Sequence, residues 1–414
     1  MTVIDLHSVA AGVVVYLTHD ARHLAAIPDN SVDVIYTSPP FYGQRSYGTE
    51  GDHMGFEIGM ETRPQDFLVE MWAVTRELWR ILKPTGSLFV NFGDKRAGSG
   101  SPGTTKGRIG GASTQGARTG IEGSYPKEWF GRRKGKQMLP HRYVIGCMDG
   151  LADPDGVGWI VRQDDVWAKT SSVPEPVEDR TRDAHEYVFH MTKTGAPFCD
   201  MAVLRAPHPT IEGALGGPPI SWRPVAPRPF KVPADVLAEL DAEAHTAAFP
   251  VDLILPAIVG YSPSAICTVC GEGRRSLIDR QPGARERDEP IDRIVGQVCA
   301  CAPLHDGVTS GRKPFTSVYN VDGWEPPPTR PAVVFDPFSG TGTVPGTAAA
   351  LGRIGIYNDI SASYQRVARW RISNTRIIDD SDLPAATAHL TIAADDVLIA
   401  GPVANEPSEQ LALL

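Results

Sequence analysis

The four residues Ser38-Pro39-Pro40-Phe41 follow an apolar stretch and carry groups that can act together chemically. The preceding residues 32–36 are mostly β-branched or aromatic and predict a buried strand, which Pro39 ends at Ser38 because proline cannot extend a strand's hydrogen bonds. The two prolines remove two N–H donors, so the Ser38 hydroxyl and nearby carbonyls remain as acceptors beside the Phe41 ring. A planar group with an exocyclic NH2 could donate both hydrogens there and stack on the ring, as methylation of a base amine requires. An ordinary Pro-Pro turn is the alternative for these four residues alone.

A glycine-rich turn, residues 336–343, follows a second predicted strand near the other end of the chain. Glycines between a strand and a helix let the backbone approach a nucleotide ligand, so any Rossmann-like cofactor site would fit this pattern. The next predicted strand, 353–357, leads to Asp359, at a spacing from Asp336 that is close to that of a carboxylate binding a ribose diol. A helix cap is the alternative role for Asp359.

Four of the six cysteines cluster as two close pairs, Cys267 with Cys270 and Cys299 with Cys301. In a chain without a predicted export signal, such a cluster indicates metal before disulfides. Four thiolates are typical of a tetrahedral, structural Zn2+ site with no open position for water. Incidental free thiols are the alternative, and His305 is a possible substitute ligand.

Composition and charge limit the possible functions. The chain has 414 residues and 42% hydrophobic content, which allows a large core with one catalytic domain of roughly 250 residues plus insertions. The net charge of −9 does not by itself favour a nucleic-acid partner. Residues 95–142, however, hold eleven lysines and arginines against two glutamates, which could follow phosphates or form a solvated loop. No signal peptide or membrane span is predicted, which favours a cytoplasmic location.

Alternating strands and helices must position these motifs. A strand at 13–17 precedes Asp20, which could face a ligand or cap a short helix predicted at 21–27. Apolar residues at helical intervals predict a helix from Pro64 that stops at Lys83-Pro84, and 87–91 is the next strand. This β-α-β order favours a mixed, mostly parallel sheet of a seven-stranded type, with helices on both faces.

Further strands are expected at one edge of this sheet. Residues 142–148 predict a helix, and 158–169 and 185–191 predict two strands without a clear crossover helix between them. Such a pair is expected to be antiparallel. Proline and alanine dominate 206–249, and no structure is predicted there.

With both motifs present, the chain resembles the β-class of site-specific DNA amino-methyltransferases, in which the catalytic half precedes the cofactor half. The resemblance follows family order through residues 30–48, 67–94, 166–169 with Arg180, 185–187, 249–250 and 336–343. It implies a Rossmann-like, S-adenosylmethionine-dependent α/β fold, double-stranded DNA as the partner, and methylation of a flipped cytosine or adenine. The long basic insertion and the cysteine cluster depart from the family pattern.

The resemblance also implies roles for individual residues. Asp336, Phe338, Gly340 and Gly342 would hold the methionine end of S-adenosylmethionine, Asp359 its ribose and Asp20 its adenine, while Ser38, Pro39, Pro40 and Phe41 would hold the target base. Ser-Pro-Pro is the form usual in relatives that make N4-methylcytosine, so N4 of cytosine is favoured and N6 of adenine is the alternative. No covalent intermediate is expected, because neither lone cysteine, Cys147 or Cys199, follows a proline as in the cytosine-C5 family.

Three competing functions use only part of the sequence. A nicotinamide oxidoreductase leaves the Ser-Pro-Pro-Phe motif unexplained, and an inactive zinc DNA-binding protein leaves the cofactor half unexplained. An RNA or protein amine methyltransferase would use the same chemistry on another polymer.

The chain is expected to divide into seven segments. They are a catalytic half at 1–94 that continues at 138–205, a basic insertion at 95–137, a linker or target-recognition segment at 206–263, a zinc-knuckle insertion at 264–305, a cofactor-binding half at 306–380 and a peripheral tail at 381–414.

Overall fold

An eight-stranded sheet is the central feature of the computed structural model. The structure describes residues 3–43, 57–97, 130–132, 134–171, 178–205, 215–217, 219–227, 230–242, 249–281, 291–301 and 327–378. The strands in these ranges are β1 Val14–Leu17, β2 Val32–Thr37, β3 Leu82–Phe92, β4 Ile160–Lys169, β5 His185–Thr192, β6 Trp222–Val225, β7 Ile266–Cys267, β8 Arg275–Gln281, β9 Ile291–Val298, β10 Thr329–Arg330, β11 Val333–Asp336 and β12 Ile354–Asn358. The helices are α1 Pro64–Ile81, α2 Leu139–Met148, α3 Ala234–Glu239, α4 Val251–Tyr261, α5 Thr343–Ala350 and α6 Ala362–Asn374.

The strand order of the large sheet is β1-β12-β11-β2-β3-β5-β4-β6. The strands from β1 to β3 in this order are parallel, and β5 runs antiparallel to both β3 and β4. The predicted mixed, mostly parallel sheet and the antiparallel β4–β5 pair are therefore confirmed. The pair does not form the edge, because β6 adds a parallel strand outside β4 and makes an eighth strand.

Helices cover both faces of the sheet. Alternate side chains of β2 point to opposite faces, as the pleat of a strand requires. Ile35 packs in the cluster that contains α1 and α2, whereas Val34 and Tyr36 pack in the cluster that contains α4 and α5. The strand that leads to Ser38 is thus packed against a hydrophobic core on both faces of the sheet.

Helix α1 confirms the predicted periodicity. Phe67, Met71, Val74, Leu78 and Ile81 are all buried. The helix continues directly into β3, which begins five residues before the predicted strand. The pairing of β2 with β3 shifts its register at this point, so the extra residues around Lys83 and Pro84, which were expected to end the helix, fit within the strand.

The predicted short helix at 21–27 was wrong. The structure has turns there, in which His23 N donates to Asp20 O and Ile27 N donates to Leu24 O, at three-residue spacing. Arg22 N also donates to Asp20 Oδ1 at 2.9 Å. An aspartate that bonds the backbone two residues later favours a turn over a helix.

Helix α4 lies within residues 206–263, which were predicted to form a linker or target-recognition segment. Seven of its eleven residues are buried, and Pro256 lies within it. Buried Arg353 fixes its end by donating to Ser262 Oγ at 3.2 Å and to Ser262 O at 3.1 Å. Among the described residues, no helix combines the length and the apolar character needed to cross a membrane.

Candidate active site

The two motifs meet at one edge of the sheet. β2 and β11 are parallel neighbours, so the Ser38 segment and the glycine-rich turn both leave the sheet at its carboxyl edge. Thr37 Oγ1 donates to Asp336 Oδ1 at 2.8 Å, and both side chains are buried. These residues are 299 positions apart in the chain, so this hydrogen bond joins the end of β2, before Ser38, to the start of the glycine-rich turn. Ligands of open α/β sheets bind in this position, outside the carboxyl ends of the strands.

The Ser38 hydroxyl has a fixed orientation. Its Oγ donates to Asn91 Oδ1 at 3.1 Å, and Asn91 Nδ2 donates to Tyr187 O at 3.2 Å. Because the hydroxyl proton is used by Asn91, the oxygen lone pairs of Ser38 remain for an incoming donor. No sequence motif predicts this role for Asn91, because its partner Ser38 follows a different strand.

The Phe41 ring packs flat against the end of β3. Its centroid lies 6.0 Å from that of Phe92, with 12° between the ring planes. A Cβ built on Gly93 would stand 2.6 Å from Phe41 Cε2, a distance that side chains do not tolerate. The absence of a side chain at Gly93 therefore decides where this ring can lie.

The loop that carries Phe41 is bonded to two other segments. Gly43 N donates to Gly59 O at 2.7 Å, and Tyr42 Oη donates to Thr62 O at 3.0 Å. Lys95 Nζ donates to Gly43 O at 2.7 Å. The ring is thus held in a defined position before any ligand binds.

The glycine-rich turn is shaped by two positive φ angles. Gly340 has φ 49° and Gly342 has φ 77°, and Gly342 caps the first turn of α5. Left-handed angles favour glycine, and the turn directs the amino end of α5 towards the sheet edge. Phe338 N donates to Asp336 Oδ1 at 3.0 Å and Gly340 N to Asp359 Oδ2 at 2.9 Å, so both predicted carboxylates hold the turn.

The two carboxylates have unusual acidities. Burial raises the pKa of Asp336 to about 7, and the nearby charge of Asp359 adds to the effect. Burial also raises the pKa of Asp359 to about 6. The cap of α6 is Ser361, whose Oγ accepts from Tyr364 N, although Ser361 N donates to Asp359 Oδ1 at 2.9 Å. Both carboxylates would gain from a ligand that brings positive charge or hydroxyl donors.

Asp20 lies at the carboxyl end of β1 but is paired within the chain. Arg22 Nε donates to Asp20 Oδ1 at 2.9 Å, and Arg22 Nη1 donates to Glu70 Oε2 at 2.6 Å. Burial alone would raise the pKa of Asp20, but the hydrogen bonds and charge of Arg22 lower it. The structure places Asp20 at the predicted sheet edge, whereas its alternative role as a helix cap was wrong because residues 21–27 form turns.

Arg371 is a supporting residue that no sequence motif predicts. It is buried on α6, and its Nη1 donates to Thr343 Oγ1 at 2.8 Å and to Thr341 Oγ1 at 3.0 Å. These two threonines flank Gly342. The thirty residues between Thr341 and Arg371 hide this contact from local sequence patterns.

The four clustered cysteines converge in space. Their sulfur atoms all lie within 4.8 Å of one another, and Cys267 Sγ is 3.8 Å from Cys301 Sγ. With zinc–sulfur bonds of about 2.3 Å, a tetrahedral site places its sulfurs about 3.8 Å apart. The cluster lies beside the β8–β9 hairpin, which Asp200 Oδ2 anchors by accepting from Ser276 N and Oγ at 2.8 and 2.7 Å. His305 falls outside the described residues.

The fold and the paired motifs define an α/β enzyme with a nucleotide-type cofactor loop beside a polar catalytic strand end. The sequence profile of the DNA methylase family of N6 and N4 methyltransferases matches residues 32–264, more than half of the chain. Among curated proteins, Type II methyltransferase M.XycI of Xanthomonas campestris pv. cyanopsidis is 30% identical over 287 residues, which cover 66% of this chain and 85% of that protein. M.Cfr9I of Citrobacter freundii is 26% identical with the same coverage. Among solved structures, the cytosine-N4-specific PvuII DNA methyltransferase is 15% identical with a TM-score of 0.49, covering 93% of this chain and 96% of that one.

The chain therefore belongs to the N6/N4 DNA methylase family. It is an S-adenosylmethionine-dependent DNA amino-methyltransferase, as its motifs predicted. Family membership also removes the nicotinamide oxidoreductase and the inactive zinc protein from the competing functions.

Proposed function

We propose that this enzyme methylates N4 of cytosine in double-stranded DNA and holds the flipped base with Ser38, Pro39, Pro40 and Phe41. The hydrogen bond between Thr37 and Asp336 carries this proposal, because it brings the base motif and the glycine-rich turn to one site. An amine inside a duplex is inaccessible to such a site, so the base must leave the stack. The Ser-Pro-Pro form of the motif favours cytosine over adenine.

Ser38 acts as an acceptor for the target amine. Asn91 uses its hydroxyl proton, so the Ser38 oxygen and the Pro39 carbonyl accept the two amine hydrogens. Phe41 supplies a ring on which the base stacks. Two accepted hydrogen bonds draw electron density onto the amine nitrogen and aim its lone pair out of the base plane.

The transfer balances without a covalent enzyme intermediate. S-adenosylmethionine supplies a methyl group on a positively charged sulfur. The amine nitrogen forms the new N–C bond, the electron pair of the broken C–S bond stays on sulfur, and the amine loses one proton to solvent. Burial raises the pKa of Cys147 far above its usual value and that of Cys199 to about 11, so neither supplies a thiolate nucleophile.

The cofactor fits the residues around the glycine-rich turn. Asp336 and Asp359 are carboxylates with raised pKa values and need a partner that carries positive charge or hydroxyl donors. The ammonium group of the methionine end suits Asp336, beside Phe338, Gly340 and Gly342. The ribose hydroxyls suit Asp359, and the adenine suits the region of Asp20 at the end of β1.

The affinity for S-adenosylmethionine should increase with pH. Below the raised pKa values of about 7 and about 6, Asp336 and Asp359 are protonated and attract a cation weakly. We expect a dissociation constant on the order of tenfold higher at about pH 5.5 than at about pH 8. Titration calorimetry across this range measures it, with Asp336→Asn as the variant that should lose most of the dependence. A pH-independent affinity in the wild-type protein would contradict the assignment.

Gly93→Ala should misplace the Phe41 ring. The new Cβ would collide with the ring, and a displacement of about 1 Å at a reacting group can lower the rate on the order of 100-fold. We expect a lower kcat for methyl transfer with unchanged cofactor affinity. Gly195→Ala is the matched control, because a Cβ there meets nothing within 4 Å and should leave kcat unchanged. Equal rates in the two variants would show that the ring position is unimportant.

We also propose that Cys267, Cys270, Cys299 and Cys301 bind a structural Zn2+ ion. Their sulfur separations support a tetrahedral site, and four thiolates leave no position for a catalytic water. The ion would fix the base of the β8–β9 hairpin.

The target base can be tested by sequencing DNA from cells that express the protein, with detection that distinguishes N4-methylcytosine from N6-methyladenine. We expect N4-methylcytosine at one recurring sequence. Methyladenine alone would overturn the choice of cytosine and leave the amine-transfer mechanism intact.

A further inference from the structure

A cavity lies beside the loop that carries Phe41. It has a volume of about 150 Å³ and opens between the end of β3 and the β4–β5 pair. A cavity of this size holds a benzene-sized ring, so a phosphate group also fits. Phe92 and Gly93 line the cavity and also contact the Phe41 ring, so a ligand bound there would be next to the target base.

Four cationic side chains line this cavity together with the carboxylates of Asp94, Asp183 and Glu186, and most of the cations are paired with them. Lys169 forms an ion pair with Glu186. Asp183 pairs with Arg96 at 2.8 Å and with Lys136 at 3.3 Å. The fourth cation is Lys95.

Lys95 differs from the other three in its partners. Among the residues that the structure describes, no carboxylate oxygen lies within 4 Å of its Nζ, which donates to Gly43 O and lies 5.3 Å from the centre of the Tyr42 ring. Burial lowers the pKa of Lys95 to about 8, which reflects a charged group without a counter-ion. An ammonium has three donors, so Nζ can bind an anion while it keeps the Gly43 contact.

We propose that Lys95 binds, within this cavity, a phosphate of the DNA strand that carries the target base. Through its hydrogen bond to Gly43, the bound lysine positions the loop that carries Phe41. The inference rests on the proposed function, because it needs a flipped nucleotide at Phe41. Lys95 is a positioning residue for the base and a direct ligand for the phosphate.

The contacts of Gly43 explain how the phosphate would affect the loop. Gly43 follows Phe41 by two residues, and its N–H is bonded to Gly59 O. A phosphate on Nζ would hold the lysine in place and so hold the Gly43 carbonyl. DNA that is correctly docked would then add to the bonds from Lys95, Gly59 and Tyr42 that already hold this loop in the free protein.

The test compares the salt dependence of three variants with that of the wild-type enzyme. The probe is duplex genomic DNA free of base methylation, and kcat/KM for methyl transfer is measured over a range of NaCl concentrations. Each phosphate contact contributes about −0.9 to the slope of log affinity against log salt concentration. Lys95→Gln should lower kcat/KM on the order of tenfold at low salt and make the slope less negative by about 0.9. Lys95→Arg should keep the wild-type slope, because it keeps the charge.

Lys193→Gln is the matched control. Lys193 also has a pKa lowered by burial to about 8, donates to the carbonyl of Leu82 and lies 5.4 Å from the centre of the Trp79 ring, but it follows β5 at the opposite end of the sheet. It should leave the slope unchanged. A purely structural role of Lys95 would lower the rate without altering the slope.

Equal slopes for Lys95→Gln and the wild-type enzyme would overturn the inference about Lys95. The proposed function would still stand in that case, provided that the wild-type enzyme transfers methyl groups to DNA. If the wild-type enzyme transferred no methyl group to DNA, the proposed function would fail instead. In that case, equilibrium binding of the same DNA over the same salt range would still test Lys95, and equal slopes there would again overturn the inference.

Discussion

Ser38→Ala is expected to lower the rate of methyl transfer to DNA by roughly 100-fold to 1000-fold, the effect of removing one fixed hydrogen-bonding group from a transition state. Phe41→Ala should cost about 1–3 kcal/mol of base stacking and also reduce transfer. Both variants should bind S-adenosylmethionine normally, because neither residue belongs to the cofactor turn. Single-turnover rates with labelled cofactor measure the loss.

Two controls separate chemistry from folding in this experiment. Ser31 precedes β2 at its other end and donates its hydroxyl to Pro28 O at 2.7 Å, so Ser31→Ala changes a similar group away from the site and should retain full activity. Phe41→Tyr keeps the ring and should retain most activity. Full activity in both Ser38→Ala and Phe41→Ala would remove the catalytic assignment of this motif.

Removal of zinc should unfold the base of the β8–β9 hairpin. Structural zinc sites in small domains contribute apparent binding energies of about 10–16 kcal/mol, far more than the few contacts of a two-stranded hairpin. We expect Cys270→Ser, or strong chelation, to release the metal and to expose the amides of Cys267 and Arg274 to hydrogen exchange. Both amides donate to backbone carbonyls in the structure, at 2.9 and 2.8 Å.

Cys199→Ser is the control for this prediction. Cys199 lies outside the cluster of four sulfurs, so the variant should keep one zinc ion for each chain. Well under one zinc ion in wild-type protein purified without chelators would contradict the zinc proposal. Because the cluster shares no residue with the catalytic strand end, that outcome would leave the methyl-transfer assignment intact.

Local patterns in the sequence predicted much of the fold. The apolar spacing of α1 and the β-branched residues of β2 and β11 each indicated one element, and all three elements are present. α4 was missed because it is apolar on nearly all sides and therefore has no helical period. Pro256 within it also argues against a helix.

The residues that support the site could not be predicted in the same way. Asn91 and Arg371 act on Ser38 and on the glycine-rich turn across the tertiary structure, and neither belongs to a short motif. Arg353 is similar, since it fixes the end of α4 from the position just before β12. Motif residues can be recognised in the sequence because they are close together along the chain and bind the same ligand. Supporting residues come together only in the folded chain.

The most direct test of amine transfer is mass spectrometry of nucleosides from unmethylated duplex DNA after incubation with the purified protein and deuterium-methyl S-adenosylmethionine. We predict deuterated N4-methyldeoxycytidine with the wild-type protein and strongly reduced label with Ser38→Ala. Absence of label in DNA, or label on carbon 5 of cytosine, would contradict the mechanism.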